Sequence, residues 1–158
     1  MASDIFAKIG DIKGESLDDK HKDEIEVLSF SWGVTNHAMP SGSGGGTGKA
    51  TFQDLSFVHK IDKASPLLMK ACATGTHLKE ATVTQRKAGK GQQEFLIVKM
   101  NDIIITSVTD GGTTGEAGSE TVSLAFAKVA LEYKALKPDG AFDASIFFKY
   151  DLKANKEG

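Results

Sequence analysis

The chain has 158 residues, enough for one ordinary domain, and 40% of them are apolar, sufficient for a packed core without disulfides or metal. Its formal net charge is −2, and Arg86 is the one arginine among 19 basic residues, which excludes a global field for holding nucleic acid or an anionic membrane. The single cysteine, Cys72, excludes an intrachain disulfide, and no stretch approaches the roughly 18 apolar residues of a membrane span.

Met1 to Lys8 offers no apolar segment after a basic start, so no cleaved signal peptide is expected. Ile5 to Ile9 reads as a short strand, and the mixed-charge run Gly10 to Glu24 as a solvated loop. Ile25 to Val34 alternates, with Leu28, Phe30, Trp32 and Val34 on one face and Ser29, Ser31 and Gly33 on the other. That is a strand with a bulky side and a small polar side. Residues 36–49 carry Pro40 and five glycines and predict a flexible loop, after which an alternating stretch runs to about Asp62. Serine at an N-cap (Ser65), proline at the first helical position and Gly75 past the end predict one short α-helix over Pro66–Thr74.

Leu78 to Lys87, Glu94 to Val108, Glu120 to Ala135 and Ser145 to Leu152 are rich in Val, Ile, Thr and Phe between glycine-containing turns, and predict strands. In two of them the apolar register shifts. Leu96, Val98 and Met100 give way to Ile103 and Ile105, and Val122, Leu124 and Phe126 to Val129, Leu131 and Tyr133. A β-bulge or burial on both faces produces this pattern. Burial on both faces needs more cover than one short helix supplies, which predicts obligate self-association.

No motif supports catalysis. The run Gly42–Lys49 ends in Gly-Lys like a phosphate-binding loop, but Ser43 stands where the P-loop needs its first glycine and Ala50 where it needs Ser or Thr. His21, His37, His59 and His77 are too scattered for a metal site, and no second cysteine completes one. Cys72 and Trp32 read as core residues, and Arg86-Lys87-Ala88-Gly89-Lys90 as a solvated hairpin tip. Asp18, Asp19, Asp23 and Glu24 are diluted by lysines, so no acid/base dyad can be argued.

Gly10-Asp11-Ile12-Lys13-Gly14-Glu15-Ser16, the segment Ile25 to Gly33, the glycine loop leading to Gln53-Asp54-Leu55-Ser56-Phe57, and Ile61-Asp62-Lys63-Ala64-Ser65-Pro66 occur in an order that resembles the haemolysin-coregulated protein (Hcp) family. The likeness continues through Met69, Ala71, Cys72 and Arg86-Lys87-Ala88-Gly89 and covers nearly the whole chain. It implies a single Hcp-like domain over 1–158: a mainly β fold, a compact β-barrel of two antiparallel sheets with one flanking helix. It further implies a non-enzymatic tube subunit of the type VI secretion system, without cofactor or metal. Six copies would form a ring, rings would stack inside a contractile sheath behind a tip protein, and the lumen would carry or chaperone effectors. The protein would then wait in the bacterial cytoplasm and leave without a cleaved signal, with no fused toxin, no nucleic-acid partner and no membrane insertion. The loop residues Gly42, Ser43, Gly44, Gly45, Gly46, Thr47 and Gly48 fall where the family extends an arm toward the neighbouring ring, and Ser29 and Ser31 are candidates for the lumen wall. A monomeric barrel enclosing a small ligand is the alternative reading.

Overall fold

The computed structural model describes residues 2–37, 49–89, 91 and 93–158. In chain order the elements are β1 (Ser3–Ile9), β2 (Ile25–Val27), β3 (Ser29–Ser31), β4 (Val34–Asn36), β5 (Ala50–Phe52), β6 (Leu55–Lys60), α1 (Ser65–Thr74), β7 (His77–Lys87), β8 (Glu94–Thr113), β9 (Glu116–Leu136), β10 (Phe142–Asp151) and β11 (Lys156–Glu157). The fold is mainly β, with one helix and two sheets.

The larger sheet follows the order β11-β10-β9-β8-β7-β1-β2, with β6 and then β3 branching from β9. β4 and β5 form the small second sheet. The long strand β9 makes the branch possible: on the edge away from β8 it pairs with β6 over Ser119–Leu124 and with β10 over Lys128–Leu136. The expected barrel is not closed. β2 pairs with β1 and β3 with β6, and between them Leu28 donates its amide to the Val58 carbonyl at 2.7 Å. The expected strand over 25–34 is therefore broken at Leu28. Ile25 and Val27 are buried before the break, while Phe30 and Trp32 pack partly against the core after it.

The shift in apolar register has a backbone cause. β8 and β9 keep one pairing register from Leu96↔Tyr133 to Ile105↔Leu124, yet the buried residues change from Val98, Met100 and Val129 to Ile103, Ile105, Leu124 and Phe126. The changeover falls at Asp102, whose φ of 54° interrupts the extended chain and re-aims the side chains that follow. A register shift between Ile105 and Ser107 adds an irregularity beyond it.

The helix starts one residue early. Its N-cap is Ala64, without a side-chain cap, and Ser65 lies inside it with Oγ accepting the Asp62 amide at 3.1 Å. Asp62 Oδ1 in turn accepts the Ala64 amide at 2.8 Å, so the turn before the helix does the capping. Gly75, at φ 63°, ends the helix with its amide toward the Ala71 and Cys72 carbonyls. Leu68 and Ala71 are buried, and Cys72 is half-buried against the core, as a structural cysteine would be.

Two further expectations fail. The run Gly10 to Glu24 is not simply a solvated loop: Gly14 and Ser16 donate amides to the Asp23 and Glu24 carbonyls, and Ser16 and His21 are buried. A Cβ on Gly14 would come within 2.6 Å of the Glu24 carbonyl oxygen, so only glycine permits this approach. Arg86 is not at a solvated tip. A register shift between Gln85 and Arg86 accompanies a side chain that is only 3% exposed.

Candidate assembly surfaces

The face that carries Ser29 and Ser31 extends over four strands. Ser31 pairs with Ser56, Ser56 with Ser123, and Ser123 with Ser107, so one row crosses β3, β6, β9 and β8. Ser56 Oγ and Ser123 Oγ are 2.7 Å apart. The neighbouring row is Ser29, Val58, Thr121 and Thr109. Directly paired residues share a face, so this surface is small and mostly hydroxylic, while Phe30, Phe57, Val122 and Val108 line the opposite, core-facing side. Ser56, Ser107 and Ser123 were not singled out from sequence; the alternation Leu55-Ser56-Phe57, which repeats Ser29-Phe30-Ser31 in opposite phase, was the available signal.

This four-stranded region has open edges. Among the described residues β3 pairs only with β6, and β8 beyond Ile104 pairs only with β9. Unpaired N–H and C=O groups along such edges invite another strand.

Two separate apolar patches are exposed, with Val34, Leu67 and Met69 exposed outside them. Three rows cross β8, β9 and β10: Met100–Val129–Tyr150, Val98–Leu131–Phe148, and Leu96–Tyr133–Ile146. The first begins in the core, and the last ends at Ile146, which is 67% exposed; Phe147, on the other face, is 57% exposed. Lys149 Nζ lies 5.4 Å from the Phe147 ring centre. The second place is an open groove of about 740 Å³ where the sheet splits at Leu28. Leu17, Leu28 and Ile61 expose apolar surface in it, Leu17 at 89%, and Asp4, Glu15, Asp18, Glu26 and Asp62 outnumber Lys60 and Arg86 along its lining.

Arg86 organises the floor of the groove. Its guanidinium donates to both Asp18 carboxylate oxygens at 2.8 and 2.6 Å and to Asp4 at 3.3 Å, and it lies 4.7 Å from the Phe6 ring centre. The Arg86 hydrogen bonds hold the Asp18 carboxyl down at about 2, and Asp18 raises Arg86 in return. His21 stacks on Phe6 at 4.4 Å, with its ring nitrogens 3.0 Å from Glu24 and 2.8 Å from Glu94. These contacts make a structural knot, since every charged group in it is already engaged.

Other candidates resolve as follows. The loop residues Gly42 to Gly48 and Pro40 lie outside the described residues, as does Lys90. Lys49 is followed by strand β5, whereas a P-loop lysine would open a helix. His59 sits on β6 as expected, but it is fully buried against Glu120, an acid–base pair that sequence reading did not find. Trp32 packs edge-on to Phe126 at 6.2 Å. No group of three or more metal-ligating side chains occurs among the described residues, and none of the described helices is long and apolar enough to cross a membrane.

The family model described as type VI secretion system effector, Hcp, matches residues 6–133. Protein hcp1 of Pseudomonas aeruginosa is 45% identical over 159 aligned residues, covering 98% of each chain. A crystal structure of Hcp1 from Salmonella typhimurium superimposes at a TM-score of 0.83 with 44% identity over 99% of both chains. A structure of a type six secretion system protein superimposes at 0.93 with 32% identity, over 99% of this chain and 100% of the other.

Proposed function

The chain belongs to the Hcp family of type VI secretion system proteins, and from that premise we propose that it is a structural subunit of the secretion tube. Six copies close a ring, rings stack into the tube inside the sheath, and the lumen carries effectors toward the tip protein. The protein waits in the cytoplasm and is expelled with the tube.

The observation that carries this reading is apolar surface in two different places on one protomer. Two unlike patches favour head-to-tail contact, which closes into a ring when the rotation permits. Acids predominate in the groove, while on the face of β9–β10 opposite Ile146 Lys149 sits over Phe147 and Lys134, 3.9 Å from Glu132, over Phe142. The open edges of β3 and β8 add main-chain partners for the same contact. A ligand-enclosing barrel fares worse, because Leu55, Phe57, Ile105 and Leu124 fill the interior and the groove lies open at the surface.

The serine rows are assigned to the lumen wall, where short hydroxyls keep a wetted surface that exchanges hydrogen bonds with varied cargo. Residues 42–48 are assigned to ring stacking. Native mass measurement tests the reading: a hexamer at micromolar concentration is expected, and a monomer would overturn it. Deleting residues 42–48 should leave that hexamer and abolish stacks. Ser31→Gln should keep the ring and reduce effector co-purification, whereas loss of the ring would mark Ser31 as structural.

A further inference from the structure

Beneath the hydroxylic face, the core ends in a polar row. One step past Phe57–Val122–Val108 on the same face come His59 of β6, Glu120 of β9 and Asp110 of β8, each directly paired with the next. His59 and Glu120 have no exposed surface, and His59 Nε2 lies 2.8 Å from Glu120 Oε1. Asp62, in the turn before α1, places Oδ2 3.6 Å from His59 Nδ1, beyond hydrogen-bond reach. Phe57 packs against the imidazole at 5.6 Å.

Two buried atoms in this row have no hydrogen-bond partner: His59 Nδ1 and Glu120 Oε2. An ionised Glu120 leaves Oε2 as a dry acceptor without a donor, beside the Asp110 carboxylate. A proton on Oε2 removes the conflict, because it can be donated to Asp110 while Oε1 still accepts from His59 Nε2–H. Burial first, and the hydrogen bond with Asp110 next, push the Glu120 carboxyl up from its ordinary value of 4.5.

We infer that Glu120 is a proton-operated latch on the β8–β9 hairpin. Protonated, it clamps Asp110 of β8 to His59 of β6 through β9; ionised, it sets a dry carboxylate against the exposed Asp110 carboxylate, and the seam loosens. Asp110 lies on the edge of β8 that has no strand partner among the described residues, so the latch governs how firmly that edge is held. The device belongs to the single chain and operates whether or not rings form.

The folded state holds the Glu120 proton more tightly than the unfolded chain does. Its contribution to stability is therefore present below pH 4.5 and lost as pH rises through the raised folded value. The test is amide exchange at residues 57–60 and 119–122 between pH 5 and 8, corrected for intrinsic rates, in the full chain and in Glu120→Gln. Protection in the native chain should fall with rising pH, by up to about tenfold per pH unit for one linked proton, and the variant should be flat. A flat native profile, or an equal slope in Glu120→Gln, would overturn the latch. Should that variant fail to fold, Asp110→Asn, at an exposed position, decides: the fall must move to lower pH, and an unmoved profile rejects the proposal.

Discussion

Arg86 and His59 both lie buried among carboxylates, and the fold treats the two sites in opposite ways. Around Arg86 a fixed cation meets Asp18 and Asp4, which are partly exposed, and Asp18 is held ionised. Around His59 the facing acid is fully buried and has a second carboxylate beside it, so burial favours the neutral form. A base among carboxylates thus gives one site that weakens in acid and another that weakens in base. The difference comes from how much solvent reaches the carboxylate and whether its neighbour is a cation or an acid.

Removing each basic side chain is the hardest test of this contrast. His59→Ala leaves Glu120 buried without its partner and should cost about 3–5 kcal/mol at pH 8 and less at pH 5, because burial raises the Glu120 carboxyl and favours its neutral form. Urea midpoints at the two pH values measure this, and equal losses would break the contrast. Arg86→Ala should cost roughly 2–3 kcal/mol, below the value for wholly buried pairs, because solvent screens Asp4 and Asp18 once the guanidinium is gone. The smallest effect is the acid limb of Asp18. Its folded value is depressed from 3.8 to about 2, so its contribution is present above pH 3.8 and lost as pH falls toward 2. Asp18→Asn should lose that contribution at neutral pH and converge on the native chain as pH falls toward 2, flattening the limb; a native profile without the limb would contradict the Arg86 assignment.

The strands, the helix and the surplus of apolar positions were legible in the sequence because they rest on local spacing. Leu96, Val98 and Met100 against Ile103 and Ile105 announced a change of face, though not that a left-handed Asp102 makes it. Neither ionic site was legible. Asp18 and Arg86 are 68 residues apart and His59 and Glu120 are 61 apart, and nothing near either residue marks its partner. Arg86 even misled, since a turn-flanking basic cluster is normally solvated, and only an irregular pairing register turns it inward. The serine pair Ser29 and Ser31 was visible as alternation, whereas its continuation through Ser56, Ser123 and Ser107 depends on strand register.

By itself the sequence determined a mainly β chain with one proline-led helix, no assembled catalytic motif, and more apolar residues than one small core consumes. Those properties follow from composition and from periods of two and 3.6 residues, which act over a few positions. The tertiary structure decided where that excess surfaces, that the sheets stay unclosed at Leu28, and which carboxylates are dry. Burial and partner choice are set by segments distant in the chain, so the charge state of Glu120 and the exposure of Ile146 exist only once β6, β8, β9 and β10 have found their register.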